Sequence, residues 1–203
     1  MIMTADLSPL DSRRTGRALD VATRLFGEHG VSRVDMTVIA REAGIDALTL
    51  RRAFPTKVDL VHAIALRTTR ALVAGRLVDD SGTPVERLSR LVRAHVRFCW
   101  RHRTEEELRR SLTPALRAVY PARHREISDL LRAYREHIDA LISAGRAQGL
   151  FVPRRPGVSA GTVLEMLDGA LNWYDPSDGL SVTQLGDVYV DLIIHHLLGA
   201  PRD

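Results

Sequence analysis

The sequence predicts an all-α protein, with three helices in a small N-terminal domain and a larger helical domain after it. Apolar residues recur at spacings of three and four along most of the chain, which places them on one side of successive α-helices. No segment alternates apolar and polar residues as a half-buried strand does. Glycine, proline and short acidic runs interrupt the helical pattern, so we expect nine to ten helices with short connections.

Two short helices near the N-terminus form the most informative pattern. Asp35 can cap a helix over Met36–Ala43. Asp46 can cap the next one, over about Ala47–Ala53, and Gly44 closes the turn between them. A glycine-containing turn between two short helices is typical of a helix-turn-helix, whose second helix enters the major groove of DNA.

The remaining predicted helices precede and follow this motif. The first helix ends at Gly30, and its apolar face consists of Ala18, Val21, Ala22, Leu25 and Phe26. Later helical patterns cover residues 57–78, 84–102, 105–119, 121–149, 158–174 and 182–198. Thr56 can cap the fourth helix, Pro114 can break the sixth, and residues 153–156 form a linker.

Composition limits the class of protein. Hydrophobic residues make up 45% of the chain and charged residues 27%, as in an ordinary soluble protein. There is no apolar run of the roughly 18 residues that a membrane span needs, and no apolar signal core at the N-terminus. We therefore expect a cytoplasmic protein with no membrane partner. Cys99 is the only cysteine, which excludes an intrachain disulfide, and the net charge of +4 is a weak bias toward polyanions.

The third helix carries the densest uncompensated positive charge near the turn. Residues 47–57 contain Arg51, Arg52 and Lys57 and no acidic residue. Because Arg51 and Arg52 lie about 100° apart, we expect one to read a base edge and the other to hold phosphate. The expected contacts with double-stranded operator DNA are Arg14, Thr37, Ala47, Leu48, Thr49, Arg51, Arg52 and Lys57. Arg13 and Arg17 are further candidates for the DNA backbone, and solvated surface charge is the alternative for all the arginines.

The last two helices are too apolar to lie alone on a surface. A helix that is apolar nearly all round must be covered on both sides, and a second copy of the chain is the commonest cover. We therefore expect a homodimer. Its expected contact residues are Leu167, Leu171, Tyr189, Ile193 and Leu197.

The fifth helix carries His95, Cys99 and His102 on one stripe. Imidazole and thiolate suit zinc, but no second cluster supplies a fourth ligand, so we expect no metal and no cofactor. A cysteine–histidine enzyme is the alternative, although no orienting carboxylate or oxyanion motif accompanies the cysteine. We expect these residues to form a polar patch in a core or a pocket wall, and the protein not to be an enzyme.

Aromatic residues and arginines in the C-terminal part are candidates for an effector pocket. The expected lining residues are Arg97, Phe98, Arg101, Tyr134, Met166 and Trp173. Apolar walls would bury a hydrophobic body, and arginines at the rim, Arg103 among them, would meet a carboxylate or phosphate. The alternatives are core packing for the aromatics and simple exposure for the arginines.

The chain resembles the TetR family of bacterial transcriptional repressors. The resemblance rests on "ALDVATRLFGEHGV", "MTVIAREAGI" and "TLRRAFPTKVDLVHAI". The segments "LTPALRAVY", "GRAQGLF" and "GALNWYDPSDGLSVTQLGDVYVDLII" are similar to a subgroup that responds to acyl-CoA thioesters or other lipophilic acids. The resemblance implies a helix-turn-helix DNA-binding domain, residues 1–56, a helical ligand-binding and dimerisation domain, residues 57–203, and a homodimer.

The recognition helix departs from the usual family sequence, Ser-Lys-Gly-Thr-Leu-Tyr-His. Residues 46–52 here read Asp-Ala-Leu-Thr-Leu-Arg-Arg. Arg51 stands where the family has a phosphate-binding tyrosine, while Ala47 and Leu48 replace the usual lysine and glycine. The operator sequence of relatives therefore cannot be carried over.

Together these patterns indicate a ligand-responsive, homodimeric transcriptional repressor. It would bind a palindromic operator through the third helix and leave it when a small hydrophobic, acidic effector, such as an acyl-CoA, enters the C-terminal domain. The alternatives are a constitutive DNA-binding protein without an effector, and the cysteine–histidine enzyme. The sequence does not distinguish repression from activation.

Overall fold

The computed structural model describes residues 9–74, 81–153 and 157–202, and all regular structure in these ranges is helical, as predicted. The α-helices are α1 (Pro9–His29), α2 (Met36–Ala43), α3 (Ala47–Ala53), α4 (Lys57–Ala74), α5 (Pro84–Arg101), α6 (Arg103–Val119), α7 (Pro121–Ala147), α8 (Ala160–Trp173) and α9 (Val182–Val190). A 3₁₀ turn, Pro176–Asp178, precedes α9, and a π-helical turn, Asp191–Leu197, follows it. The predicted end of the fourth helix at Val78 and most of the predicted linker lie outside the described residues.

Capping residues hold α2 and α3 at the predicted bounds. The Asp35 carboxylate accepts a hydrogen bond from the Thr37 backbone N–H at 2.9 Å. The Asp46 carboxylate accepts a hydrogen bond from the Thr49 backbone N–H at 3.0 Å. Gly44 ends α2 with φ at +66°, a left-handed conformation that favours glycine. The two caps and this turn therefore follow directly from the sequence.

The described residues fall into two compact units. The first comprises Met1–Thr68 and Thr104–His124, and the second Thr69–Arg103 and Arg125–Asp203. Helix α4 runs from the first unit into the second, and α6 belongs to the first. The division of functions at residues 56 and 57 stays a prediction, because it concerns ligands that the structure does not contain.

The first unit has an apolar core of its own. Helices α1 to α4 supply most of it, and α6 adds Leu108 and Leu112. Thr104, close to the start of α6, contacts the backbone of α1 at Gly27, where a Cβ atom would lie 2.8 Å from the threonine methyl. The fully buried members include Ala18, Ala22, Ile39, Leu50, Leu60 and Ile64. The helix-turn-helix is therefore supported by a distant segment as well as by its neighbours in sequence.

The second unit is built around α5, α7, α8 and α9. Helix α9 passes close to α5 at Gly186, where a Cβ atom would lie 3.5 Å from the Arg93 Cα. The fully buried side chains of this core include Leu88, Val92, Ile138, Val163, Leu185 and Ile193. These are the apolar faces that the sequence pattern predicts for these helices.

Two helices differ from prediction in their interior. Pro114 does not break α6, which continues to Val119, although proline removes one backbone N–H. The ninth helix is not one α-helix to Leu198, because Asp191–Leu197 is wound as a π-helix. Ile193 and Ile194, within this π-helical turn, are both buried.

Membrane insertion finds no support in the helices of residues 9–74, 81–153 and 157–202. None of these helices is both long enough and apolar enough to span a bilayer.

Candidate functional site

The recognition helix, α3, is anchored by two apolar side chains. Leu50 is 1% exposed and Phe54 8%, so both belong to the core of the first unit. The opposite side of α3 faces solvent: Leu48 is 57% exposed, and Thr49, Arg51 and Arg52 are also exposed. The structure therefore presents most of the predicted DNA contacts of α3 on one accessible surface.

Arg51 interacts electrostatically with Asp35, the residue that caps the start of α2. The pKa of Asp35 lies below its usual value because the Thr37 backbone N–H and hydroxyl both donate hydrogen bonds to its carboxylate. The positive charges of Lys57 and Arg51 lower it further. Arg51 and Lys57 thus place two positive charges near the start of α2. These charges suit a DNA phosphate, whereas the Thr37 N–H and hydroxyl are already paired with Asp35.

Arg52 lies on the other side of α3, toward α1. A cleft of about 360 Å³ separates the two helices there. It is lined by Arg14, Thr15, Ala18, Ile45, Thr49, Leu50, Arg52, Ala53 and Phe54. The two arginines therefore flank α3, with Arg51 beside α2 and Arg52 grouped with Arg14 beside α1.

Lys57 has a structural contact that the sequence does not reveal. Its ammonium group donates to the carbonyl oxygens of Val31 at 3.1 Å and Ser32 at 3.0 Å, which ties the start of α4 to the turn after α1. Arg17 is tied in a similar way, to the carbonyl of Ala43 at 3.4 Å. DNA contacts by these two residues remain predictions, and Arg13 and Arg14 are both exposed.

The predicted cap at Thr56 has two partners that were not predicted, Asp59 and Arg123. The Asp59 carboxylate accepts hydrogen bonds from the Thr56 backbone N–H at 2.7 Å and from its hydroxyl, and it pairs with Arg123. Burial works to raise the pKa of Asp59, but the Thr56 hydrogen bonds and the Arg123 charge outweigh it, so this pKa lies below its usual value. The Thr-x-x-Asp spacing signals the cap, whereas Arg123 lies 64 residues away and no sequence pattern indicates it.

The predicted effector residues divide into core and surface. Tyr134 is 1% exposed, and its hydroxyl lies 3.0 Å from Nδ1 of His95. Phe98 and Met166 are half-buried against the same core. Arg97 and Arg101 are exposed, and so is Trp173, at 58%. The structure therefore places Trp173 on the surface and not among the apolar walls, while the ligand-binding role of the set remains a prediction.

The predicted dimerisation residues are largely buried within a single chain. Leu167, Tyr189 and Ile193 are between 0% and 7% exposed, and Leu197 is half-buried. The side chain of Leu171 lies outside the described part of the structure. Side chains of this buried set pack in their own core, so they offer little surface to a second copy.

A different set of apolar side chains is exposed on the same helices. Trp173, at the end of α8, is 58% exposed, while Val188 and Leu192 are 41% and 38% exposed. The Trp173 indole N–H donates to the Tyr189 hydroxyl at 3.2 Å, which fixes the indole beside α9. We call Trp173, Val188 and Leu192 the α8–α9 patch.

The histidines and the cysteine of α5 are packing residues in the described structure. Cys99 is 4% exposed. His95 stacks on Tyr134 with ring centroids 5.8 Å apart, and the His102 ring lies tilted against Phe98 at 4.4 Å. A nucleophile needs access to substrate, so a 4% exposed thiol gives the enzyme alternative no support. Within the described ranges, no three histidine, cysteine, aspartate or glutamate side chains are grouped as a metal would require.

Comparisons with known proteins agree with this geometry. The family model described as bacterial regulatory proteins, tetR family, matches residues 18–64. The model described as tetracyclin repressor-like, C-terminal domain, matches residues 81–197. The transcriptional repressor KstR2 of Mycobacterium tuberculosis is 25% identical over 191 residues, which cover 91% of this chain and 92% of that protein.

Solved structures share the whole fold. PfmR, a TetR family transcriptional regulator from Thermus thermophilus, has a TM-score of 0.75 at 25% identity, over 89% of this chain and 98% of its own. AibR, solved with isovaleryl coenzyme A and operator DNA, has a TM-score of 0.70 at 21% identity, over 93% and 100% of the two chains. The AibR likeness shows the fold alone. With one family model matched over the helix-turn-helix and the other over most of the remaining chain, this protein belongs to the TetR family of bacterial transcriptional regulators.

Proposed function

We propose that this regulator is a homodimeric repressor that binds a palindromic operator through α3 and leaves it when an acidic hydrophobic effector binds. The observation that carries the DNA part is the exposed face of α3, with Arg51 on the α2 side and Arg52 on the α1 side. A positive group on the α2 side suits a phosphate backbone, and the exposed outer face of α3, Arg52 included, is then left for the bases. The cytoplasm, where operator DNA is located, is the proposed compartment.

The roles of the two arginines follow from these positions. Arg51 and Lys57 place two positive charges near the start of α2, so we assign Arg51 to phosphate. Arg52 is the better candidate for a base edge, since an arginine pairs bidentately with guanine. In the dimer, the two copies of α3 would lie about 34–36 Å apart, the distance between successive major grooves.

Operator binding tests this proposal. DNA that the protein selects from a random library supplies the probe, and fluorescence anisotropy at several salt concentrations gives the dissociation constant. Arg51→Ala should weaken binding to all sequences and reduce the salt dependence by about one unit of slope. Arg52→Ala should cost about 1–3 kcal/mol on the selected sequence and relax preference at one base pair. Arg135→Ala, which removes an exposed arginine of α7, is the matched control. Unchanged binding in both test variants would contradict the assignment of α3.

The proposed effector class rests on the chemistry of the second unit and on solved relatives. Phe98 and Met166 contribute apolar surface, and Arg97 and Arg101 present exposed guanidinium groups on the same helix, α5, as Phe98. AibR was solved with isovaleryl coenzyme A, and we carry that ligand class to this chain only as a proposal. An effector switches the protein only if it binds the DNA-free conformation more tightly.

Titration of acyl-CoA thioesters against the labelled operator complex tests the effector. We expect release by at least one chain length at micromolar concentration, and weaker release from Arg101→Ala than from the control Arg135→Ala. Titrations with free fatty acids and with coenzyme A alone show whether the acyl chain or the coenzyme A part is sufficient for release. Release by uncharged hydrophobic compounds but by no acyl-CoA would overturn this class. A complex that no compound releases would favour the constitutive DNA-binding alternative.

The dimer is proposed to form through the α8–α9 patch. Obligate dimer interfaces are apolar at their centre and enriched in aromatic side chains. The α8–α9 patch meets this description. A second copy packed on it would remove its three exposed apolar side chains from water.

A further inference from the structure

One of the exposed side chains of the recognition helix is a large apolar one. Leu48 is 57% exposed, while Leu50, two residues later, is 1% exposed. Two residues correspond to about 200° of helix rotation, so Leu48 points almost directly away from the core that Leu50 enters. In a helix that lies in the major groove, this direction leads to the base edges.

Two arginines flank Leu48 on the helix. Arg52 follows four residues later, and four residues correspond to about 400° of rotation, so the two side chains share a face one turn apart. Arg51 follows Leu48 by three residues, about 60° to the other side, and it acts on Asp35 beside the start of α2. The stripe that meets the bases therefore consists of Leu48 and Arg52, the arginine nearer to it in direction.

The base edges offer one apolar group to such a side chain. In the major groove the C5-methyl group of thymine is apolar, whereas the other recognition groups are hydrogen-bond donors and acceptors. Leucine has no hydrogen-bonding side-chain atom, so it would leave those groups unsatisfied after displacing their water. Contact with a thymine methyl removes apolar surface of both partners from water and breaks no hydrogen bond.

We propose that Leu48 reads the methyl group of one thymine in each operator half-site, while Arg52 reads a guanine within about two base pairs of it. The separation follows from the helix, since four residues rise about 6 Å and base pairs stack about 3.4 Å apart. This inference rests on the proposed binding of DNA by α3, and adds the specificity of that contact.

Removal of single methyl groups tests the thymine contact. Each thymine of the selected operator is replaced in turn by 2′-deoxyuridine, symmetrically in both half-sites, and binding is measured by anisotropy. Uracil pairs like thymine and lacks the methyl group. We expect one position where the replacement weakens the wild-type complex about fourfold for each half-site, the loss that corresponds to one buried methyl group.

The variant Leu48→Ala links the effect to this residue. It should bind thymine and uracil operators equally at the sensitive position, and alanine preserves the helix because it has the highest helical propensity. Val119→Ala, which shortens an apolar side chain that is 64% exposed on α6, should retain the full preference for thymine. Thermal unfolding followed by circular dichroism checks that both variants fold.

The guanine contact has its own test. Replacing guanine by 7-deazaguanine removes the N7 acceptor, so it should weaken binding at a position within about two base pairs of the sensitive thymine. Arg52→Ala should abolish this sensitivity, and Arg51→Ala should preserve it. A sensitivity that depends on Arg51 instead would overturn the assignment of the stripe.

Failure of this inference is distinguishable from failure of the proposed function. Equal binding of every uracil operator by wild type, or unchanged thymine preference in Leu48→Ala, would overturn the methyl contact while specific DNA binding stands. Selection that enriches no sequence would instead remove the proposed function, and this inference with it.

Discussion

At the scale of single residues, short hydrogen bonds organise the charges around the recognition helix. Thr37 donates two hydrogen bonds to Asp35, and Thr56 donates two to Asp59. Both carboxylates are held in the ionised form, since both pKa values lie below the usual one. The consequence is that each carboxylate offsets the helix dipole at its own helix start.

The pKa of Asp59 leads to a pH-dependent prediction. Because this pKa is lower in the folded protein, ionised Asp59 stabilises the fold fully above the unfolded value near 3.8. That stabilisation is lost as the pH falls through the lower folded value. Asp59→Asn should therefore lower the free energy of unfolding by about 1 kcal/mol at pH 7, and by much less at pH 3.

Urea unfolding at the two pH values measures this difference. Glu107→Gln, which neutralises an exposed carboxylate on α6, is the control and should change the free energy of unfolding little at either pH. A loss in Asp59→Asn that is equal at pH 3 and pH 7 would assign the effect to packing and not to charge.

At the scale of helices, close packing against a helix backbone sets where glycine is required. The C-terminal end of α7 turns back on itself, with the Leu150 backbone N–H donating to the Gly145 carbonyl at 2.8 Å. This turn brings the buried ring of Phe151 onto Gly145, where any Cβ atom would overlap the ring. Gly169 in α8 has no heavy atom within 4 Å of the position of its missing Cβ.

The two glycines should respond in opposite ways to the same substitution. Gly145→Ala should destabilise the protein by roughly 1–3 kcal/mol, because the ring must move within a packed core. Gly169→Ala should stabilise it by roughly 0.5–1 kcal/mol, since alanine loses less backbone entropy than glycine in a helix. Thermal and urea unfolding of the two variants give the comparison. The prediction for Gly145 fails if both variants are stabilised.

At the scale of the whole molecule, burial separates residues that support the fold from residues available to a second copy. Ile193 is 0% exposed and belongs to the core of the second unit. Val188, on the same ninth segment, is 41% exposed and belongs to the α8–α9 patch. A charge at Ile193 should therefore have a different consequence from a charge at Val188, although the sequence pattern treats both as apolar positions of one helix.

Glutamate substitutions at these two positions test the dimer. Val188→Glu should give a folded monomer, which sedimentation velocity detects. The monomer should bind the operator more weakly because the two recognition helices are no longer held in one molecule. Ile193→Glu should instead lower the unfolding temperature or prevent folding, since it buries a charge without a partner. Glu165→Gln, at an exposed position of α8, is the control for a charge change. A wild-type chain that sediments as a stable monomer at micromolar concentration would contradict the interface.

The sequence alone determined the all-helical class, the bounds of α2 and α3, and the family. These features depend on local spacing: caps two or three residues ahead of an amide, a glycine at a turn, and apolar residues three and four apart. For the same reason, the placement of Leu50 and Phe54 inside and of Leu48, Thr49, Arg51 and Arg52 outside could be predicted from the helical period. The roles of these residues toward DNA remain proposals.

Only the tertiary structure decided which side chains of α8 and α9 are buried, which side of α3 each arginine occupies, and which distant segments join the first unit. A π-helical turn follows α9 at Asp191, where the apolar spacing predicts an α-helix to Leu198, and α6 packs with α1 although more than 70 residues separate them in sequence. Such arrangements depend on contacts between segments far apart in the chain, and a periodic pattern records only that a face is apolar, not what covers it.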